Sequence, residues 1–253
     1  MGSHGRALQE APGLKLSVVV PAFNEELLLP GTLASIQAAA RVFDAAGGWE
    51  LIVCDNNSTD RTAEIARAAG ARVVFEAHNQ ISRARNSGAA AATGEWVVFV
   101  DADSSPSPGL FGELGAAIAG GACIAGGSTI AADSDSFWFR TGIRAWNALS
   151  RLNRWGAGSF IFCERAAFSE LRGFSEEFYA SEEIDFFRRL KPLARRRGRK
   201  ILILHRNPLH TSDRKLRLYG WHELLRFMGG LLLRPRRALR SAEDCRPWYD
   251  GRR

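Results

Sequence analysis

Trp96-Val97-Val98-Phe99-Val100-Asp101-Ala102-Asp103 decides the architecture of this chain. Trp96 to Val100 is apolar without a break, the pattern of a strand covered on both faces, which belongs in the middle of a parallel sheet. The strand delivers two carboxylates just before the turn-forming Ser104-Ser105-Pro106-Ser107-Pro108. In open α/β sheets, ligands bind beyond the carboxyl ends of the strands. Two aspartates spaced by two in extended chain point the same way. Hard oxygen ligands of that kind suit Mg²⁺ or Mn²⁺, which bridges phosphate oxygens. A solvated acidic turn is the structural alternative, so the flanking sequence has to discriminate.

Upstream, strand and helix patterns alternate. Lys15-Leu-Ser-Val-Val-Val20 reads as a first buried strand, and Pro21, which has no N–H to donate, is expected to end its ladder. Ala22-Phe23-Asn24-Glu25-Glu26 follows, then a helical pattern on Leu28, Leu29, Leu33, Ile36 and Ala40 that runs to about residue 46. Asn24 and the acids beside it lie where a helix cap would also lie. Trp49 to Cys54 is a second strand with Asp55 at its end. Ser58 or Thr59 is expected to cap the next helix, which Gly70 ends. A third strand spans 71–75, and a helix carrying Arg83, Arg85 and Asn86 spans 81–92. Four such alternations predict a parallel, doubly wound half-domain. No G-x-G-x-x-G follows the first strand and no G-x-x-x-x-G-K-[ST] occurs, which argues against dinucleotide-binding and P-loop chemistry.

The chain's 253 residues, 46% hydrophobic and 24% charged, suffice for one large globular domain rather than a disordered one. No apolar run reaches the ~20 residues that span a bilayer. Residues 1–14 lack the apolar core of a signal peptide, so a cytoplasmic protein is expected. Cys54, Cys123, Cys163 and Cys245 are scattered, as buried reduced thiols would be. The net charge of +7 is unevenly distributed: residues 188–253 hold 20 Lys and Arg against 5 Asp and Glu, leaving the rest acidic. A basic end of this kind meets anions: a phosphorylated ligand, an anionic lipid surface or nucleic acid.

Four segments then carry a resemblance. They are Val18-Val-Val-Pro-Ala-Phe-Asn-Glu-Glu26, Val53-Cys-Asp-Asn-Asn-Ser-Thr-Asp-Arg-Thr62, Ala84-Arg-Asn-Ser-Gly88 and Phe99-Val-Asp-Ala-Asp103. In order and spacing they resemble the family 2 glycosyltransferases of the GT-A fold. Gly158 to Phe168 and Leu171-Arg-Gly-Phe174 resemble that family's acceptor-side strand and turn, and Ser181-Glu-Glu-Ile-Asp185 lies where the family has Glu-Asp. The resemblance covers about Lys15 to His210. It implies an α/β fold of GT-A type: a mostly parallel central sheet flanked by helices, with a Rossmann-like nucleotide-binding half and an acceptor half. Residues 1–14 are then a flexible N-terminal segment. One domain occupies 15–212, with the nucleotide-sugar half at 15–106 and the acceptor and catalytic half at 107–212. Residues 213–253 are a basic C-terminal extension.

The resemblance also implies a UDP- or GDP-sugar donor, a divalent cation (Mn²⁺ or Mg²⁺) and transfer to an acceptor glycan, lipid-linked sugar or small hydroxyl compound. Carried over by position, Pro21, Ala22, Phe23, Asn24 and Glu25 line the nucleoside pocket, with Phe23 against the base. Asp55 bonds the base, Arg85 lies near the nucleotide, and Asp101 and Ala102 face the ribose. Asp103 ligates the metal with Asp101, and His210 completes the set. Glu183 matches the catalytic base, normally an aspartate; Glu182 and Asp185 stand beside it on the acceptor side. Negative charge building on a departing nucleoside diphosphate calls for a Lewis acid, and the attacking hydroxyl calls for a carboxylate base. The three acids open a helix through Phe186, Phe187, Leu190 and Leu193, whose positive end is expected to keep them ionised.

Between the halves lies Asp133 to Gly158, whose apolar positions Phe137, Ile143, Trp146 and Leu149 suggest a helix with a hydrophobic stripe. Trp155 is assigned to the acceptor side. Arg151-Leu-Asn-Arg-Trp155 resembles the Q-x-x-R-W of processive synthases but has Arg for Gln and precedes the acidic block, so single addition is expected. A strand at Ile201–Leu204 leads to His205 and His210. Arg214, Lys215 and Arg217 suit a diphosphate lid, and Trp221 to Leu233 an amphipathic helix for peripheral contact with an anionic membrane at its inner face. Three alternatives compete. A nucleotidyltransferase would want a Gly-rich basic loop after the first strand. A nucleic-acid binder would show a recognisable motif, and none is present. A degenerate transferase would only bind nucleotide, an option that Glu183 in place of aspartate keeps open.

Overall fold

A computed structural model describes residues 15–131 and 137–212. The elements run β1 Leu16–Ala22, α1 Leu29–Ala40, β2 Trp49–Asp55, α2 Thr62–Ala68, β3 Arg72–Phe75, α3 Ile81–Ala90, β4 Trp96–Val100, β5 Ser104–Ser105 and α4 Pro108–Ala119. There follow β6 Cys123–Ala131, α5 Phe137–Asn153, β7 Phe160–Glu164, α6 Arg165–Glu170, α7 Glu182–Arg196 and β8 Lys200–Thr211. The 1–14 segment and the 213–253 extension, with the expected lid and amphipathic helix, lie outside the described residues.

One eight-stranded sheet carries the order β3-β2-β1-β4-β7-β6-β8-β5. The first four strands are parallel, as the strand–helix alternation predicts. Beyond β4 the sheet is mixed: β7 runs antiparallel to both β4 and β6, and β8 is parallel to β6 and antiparallel to β5. β4 is therefore central, fully buried, and sits where the parallel half meets the mixed half.

Period-2 alternation divides the apolar side chains between two cores. Val18, Val20 and Val98 face a layer containing Leu33 and Ile36 of α1 and Phe111 of α4. Val19, Val97 and Phe99 face a layer containing Phe168 of α6 and Phe186, Phe187 and Leu190 of α7. Phe99, Phe168, Phe174 and Phe186 pack ring against ring at centroid distances of 4.9–5.5 Å.

Three local expectations are corrected. β1 continues through Pro21, which pairs with Cys54 of β2. The Asn56 N–H donates to the Ala22 carbonyl, so Ala22 turns its polar groups to β2 and Pro21, one residue back, turns its nitrogen to the β4 side. There the ladder has already ended at Val19 and Phe99. Neither Ser58 nor Thr59 caps α2, which starts at Thr62 without a side-chain cap. The 101–104 segment is not extended: the Ser104 N–H donates to the Asp101 carbonyl at 3.1 Å, closing a turn, so alternation does not aim the two aspartates together. Cys54, Cys123 and Cys163 are buried free thiols, and burial pushes Cys54 up to about 12 and Cys123 up to about 11. Among the described residues no helix is long and apolar enough to cross a membrane.

Candidate active site

The carboxyl ends of β1, β2 and β4 lie side by side, with Ala22 paired to Asp55 across β1 and β2. Neighbouring strands are about 4.8 Å apart, so three strand ends span a floor of nucleoside size. Two loops leave this floor and brace each other. The Asn24 N–H donates to Ser58 Oγ at 3.0 Å, and the Thr59 N–H donates to Asn24 Oδ1 at 2.8 Å. The Glu25 N–H donates to Thr62 Oγ1 at 2.8 Å and the Glu26 N–H to Asp60 Oδ2 at 3.1 Å. Asn24 holds a left-handed φ of 52° and does not cap α1, whose N-cap is Leu28. Asp55 is buried, its Oδ1 accepting the Ser58 N–H at 3.0 Å, and Phe23 is half-buried in the bend after β1.

The second half meets this floor through Arg85. Gly88, one turn along α3, lets the helix lie against β1: a Cβ there would stand 2.4 Å from Val19 Cγ1. The close approach sinks Arg85 to 1% exposure. Its Nη2 donates to Asp101 Oδ1 at 2.9 Å and to the Gly158 carbonyl at 2.8 Å, and its Nη1 donates to Glu182 Oε1 at 2.5 Å. The Gly158 carbonyl reaches it because two more glycines stack. A Cβ on Gly127 of β6 would stand 2.4 Å from the Gly156 Cα, and one on Gly156 would stand 2.8 Å from the Phe187 ring. The 156–158 backbone thus threads between β6 and α7. A Cβ on Gly158 would lie 3.6 Å from the Glu183 carboxyl carbon, so Glu183 belongs to the same cluster.

Burial decides the charges here. The N-terminal dipole of α7 favours ionised acids, but at Glu182 and Glu183 desolvation pushes the pKa the other way. Glu182 is raised by burial despite Arg85, and Glu183 is raised to about 8 by desolvation and then by Glu182, with Arg85 pulling the other way. Arg85 stays charged because Asp101, Glu182 and Glu183 surround it.

Several expected site residues fall elsewhere. Glu182 is 3% exposed beneath Arg85, not open to an acceptor. Asp185 turns to Arg189, 2.7 Å away, which also holds the Leu171 and Gly173 carbonyls. Trp155 is half-buried against the second core with Lys191 Nζ 5.3 Å over its ring. His210 lies on β8 opposite Ser105, exposed. Asp103 is drawn to the same strand, its carbonyl accepting the Ser212 N–H at 3.1 Å. Among the described residues no three His, Cys, Asp or Glu side chains gather as a metal cage would require. Asp101 and Asp103 fit the other mode of holding a hard cation, in which one or two carboxylates serve and substrate phosphates and water supply the rest.

Sequence reasoning missed the clamp that joins the halves. Gln80 Nε2 donates to the Glu176 and Phe178 carbonyls, Asn86 exchanges two bonds with the Phe174 backbone, and Arg83 pairs with Glu176 at 2.8 Å. The signal was there in Gln80, just before α3, and Arg83 and Asn86 within it, which recur at spacing three.

A model of the glycosyl transferase family 2 matches residues 17–177. An uncharacterized glycosyltransferase of Mycobacterium bovis is 40% identical over 106 residues, which are 42% of this chain and 44% of that protein. Validoxylamine A glucosyltransferase of Streptomyces hygroscopicus subsp. limoneus is 34% identical over 111 residues, 42% of this chain and 24% of that one. The chain therefore matches less than half the length of these curated relatives. Among solved structures, glucosyl-3-phosphoglycerate synthase of Mycobacterium tuberculosis with Mn²⁺ and UDP-glucose has a TM-score of 0.63 at 22% identity, covering 92% of this chain and 81% of that one. S. aureus TarS 1-349 with UDP has a TM-score of 0.58 at 19% identity, covering 78% and 60%. At these identities the likeness is one of fold.

Proposed function

Because the chain belongs to glycosyl transferase family 2, we propose that it moves a sugar from a nucleoside-diphosphate sugar to an acceptor hydroxyl. The observation that carries this is the joint around Arg85, which ties Asp101 at a strand end of the first half to Glu182, next to Glu183, in the second. The nucleoside lies over Pro21 to Glu25, Asp55 and Ala102. Solved structures of similar fold that hold UDP or UDP-glucose favour uridine. Asp103 and Asp101 would hold a divalent cation, which offsets the negative charge of the departing diphosphate. Arg85 is too deeply buried to touch the donor; it is a positioning residue for Asp101 and the α7 acids.

Glu183 is the base. The acceptor oxygen forms its bond to the anomeric carbon as the bond to the diphosphate oxygen breaks, and the hydroxyl proton passes to the Glu183 carboxylate. A carboxyl raised to about 8 is a much stronger proton acceptor than an exposed one, and ionises within the range where an enzyme works. One base opposite the leaving group gives inversion, and a single addition is expected. Acceptor-side roles for Trp155 and Asp185 are secondary, since both side chains are already engaged.

The test pairs binding with turnover. Thermal shift with UDP and GDP, with and without Mn²⁺, reads donor recognition, because a ligand of the native state raises the midpoint. Glu183→Gln is expected to keep that shift and to abolish release of UDP from a UDP-sugar. Unchanged release in this variant places the base elsewhere.

A further inference from the structure

A second cluster of charge lies about 12 Å along α7 from Glu183, eight residues at 1.5 Å each. There a cavity of about 390 Å³ opens between the end of α5, the C-terminal half of α7 and the start of β8. Sites for small molecules span roughly 300–1,000 Å³. Its walls are Leu152, Asn153, Arg154, Lys191, Ala194, Arg195, Arg199 and Ile201, four cations and no carboxylate.

These cations differ from their neighbours. On the other side of α7, Arg189 pairs with Asp185, Arg196 with Glu170, and Arg197 with Glu164 and Glu170. Among the described residues Arg154, Lys191, Arg195 and Arg199 have no carboxylate within ion-pair distance; Arg199 donates to the Cys123 carbonyl and Lys191 lies over the Trp155 ring, and neither contact neutralises the charge. They crowd one another enough that burial, then Arg195 and Arg154, lower the Lys191 pKa. Two helix C-termini border the cavity, each worth about half a negative charge, so four cations still leave it strongly positive.

Arg154 is held there at a cost. It has a left-handed φ of 52° directly after α5, and the Trp155 N–H reaches back to the Ser150 carbonyl at 3.0 Å. This is the helix-ending position that glycine normally takes. An arginine in a backbone state suited to glycine, at a pocket whose cations lack carboxylate partners, is strain of the kind found at ligand clamps.

We propose that this cavity binds a phosphate group, carried either by a small soluble molecule or by a lipid head group. Arg154, Lys191, Arg195 and Arg199 neutralise the anion, while the exposed Leu152 of the wall, with exposed Leu149 one turn earlier on α5, suits an apolar remainder of the ligand. Phosphate capture here does not depend on sugar transfer.

The experiment uses the full chain in EDTA, with two probes: inorganic pyrophosphate by titration calorimetry, and phosphatidylcholine vesicles with and without phosphatidic acid by co-sedimentation. Lys191→Gln/Arg195→Gln is compared with Arg41→Gln/Arg144→Gln, which removes the same charge from exposed positions outside the cavity. At least one probe is expected to lose tenfold or more in affinity with the cavity pair and to keep its affinity with the control pair. Loss for pyrophosphate identifies a soluble phosphate, and loss for the acidic vesicles alone identifies a head group. Arg154→Gly supplies a second readout: glycine relieves the φ, so the melting temperature should rise while binding falls. Equal loss in both double variants, or none in either, overturns the proposal.

Discussion

Arg85 Nη1 lies 2.5 Å from Glu182 Oε1, and both side chains are withdrawn from water although 97 residues separate them in the chain. The pair is one arm of a three-way joint whose other arms are Asp101 and the Gly158 carbonyl. The strand ends that form the nucleoside floor and the helix start that presents Glu183 are thus fixed to a single guanidinium.

Removing that guanidinium strands two carboxylates. A buried pair broken on one side costs about 3–5 kcal/mol, because the remaining charge keeps its desolvation penalty. Arg85→Ala is therefore expected to lower unfolding stability in urea by an amount in that range. Arg85→Ala/Glu182→Gln should recover part of it, since the neutral amide no longer needs a cation. Equal stability of single and double variants would show that Glu182 has already taken up a proton once Arg85 is gone.

Glu183 makes stability fall with pH. Its folded pKa of about 8 lies above the ordinary 4.5, so the folded state holds the proton more tightly than the unfolded chain. The stabilising contribution is complete below about 4.5 and is lost as pH rises towards 8. Glu182, also raised, acts in the same direction. Glu50, Asp60 and Glu76, whose pKa values are lowered, act instead on the acid side. In ligand-free protein the melting temperature should drop between about pH 5 and pH 8, and Glu183→Gln should flatten that drop. Parallel curves for the two proteins would refute the assignment.

The parallel half was legible because its strands are apolar runs closed by polar turns; Trp96–Val100 appears with the bounds read from sequence. β8 was legible only over Ile201–Leu204, since His205 to Thr211 has no apolar pattern and is held by pairing with β6 and β5. Asp101 was correctly placed at a strand end, but its partner was not readable from spacing, because Arg85 reaches it through a helix-to-sheet approach that Gly88 permits. The upward shift of Glu183 was missed for a related reason. A helix dipole is a local quantity visible in sequence, whereas the desolvation that overrides it comes from the fold closing around Glu182 and Glu183.

Asp103 should separate cation binding from folding. Asp103 lies in the turn after β4 and the Arg85 joint uses Asp101 instead, so Asp103→Ala is expected to leave that joint intact and the protein folded. The Mn²⁺-dependent part of the UDP thermal shift should vanish, while any shift produced by UDP alone remains. A metal-dependent shift of wild-type size in this variant would remove Asp103 from the cation site.

The glycine stack offers the most local test of how the base is positioned. An added methyl on Gly156 would press to 2.8 Å from the Phe187 ring and 3.1 Å from the Gly127 Cα. Overpacking of this kind costs about 1–3 kcal/mol, and neither neighbour is a free chain end: Phe187 is fully buried in the second core. Gly156→Ala should therefore push the 156–158 backbone off α7, weaken the Gly158 carbonyl bond to Arg85 and shift Glu183. Turnover should fall more than donor affinity, since the nucleoside floor lies on the other side of Asp101. Phe187→Leu in the same chain makes room for the methyl, so the double variant should regain turnover relative to Gly156→Ala alone. If stability returns without turnover, the loop is a packing element only, and Glu183 does not depend on it for its position.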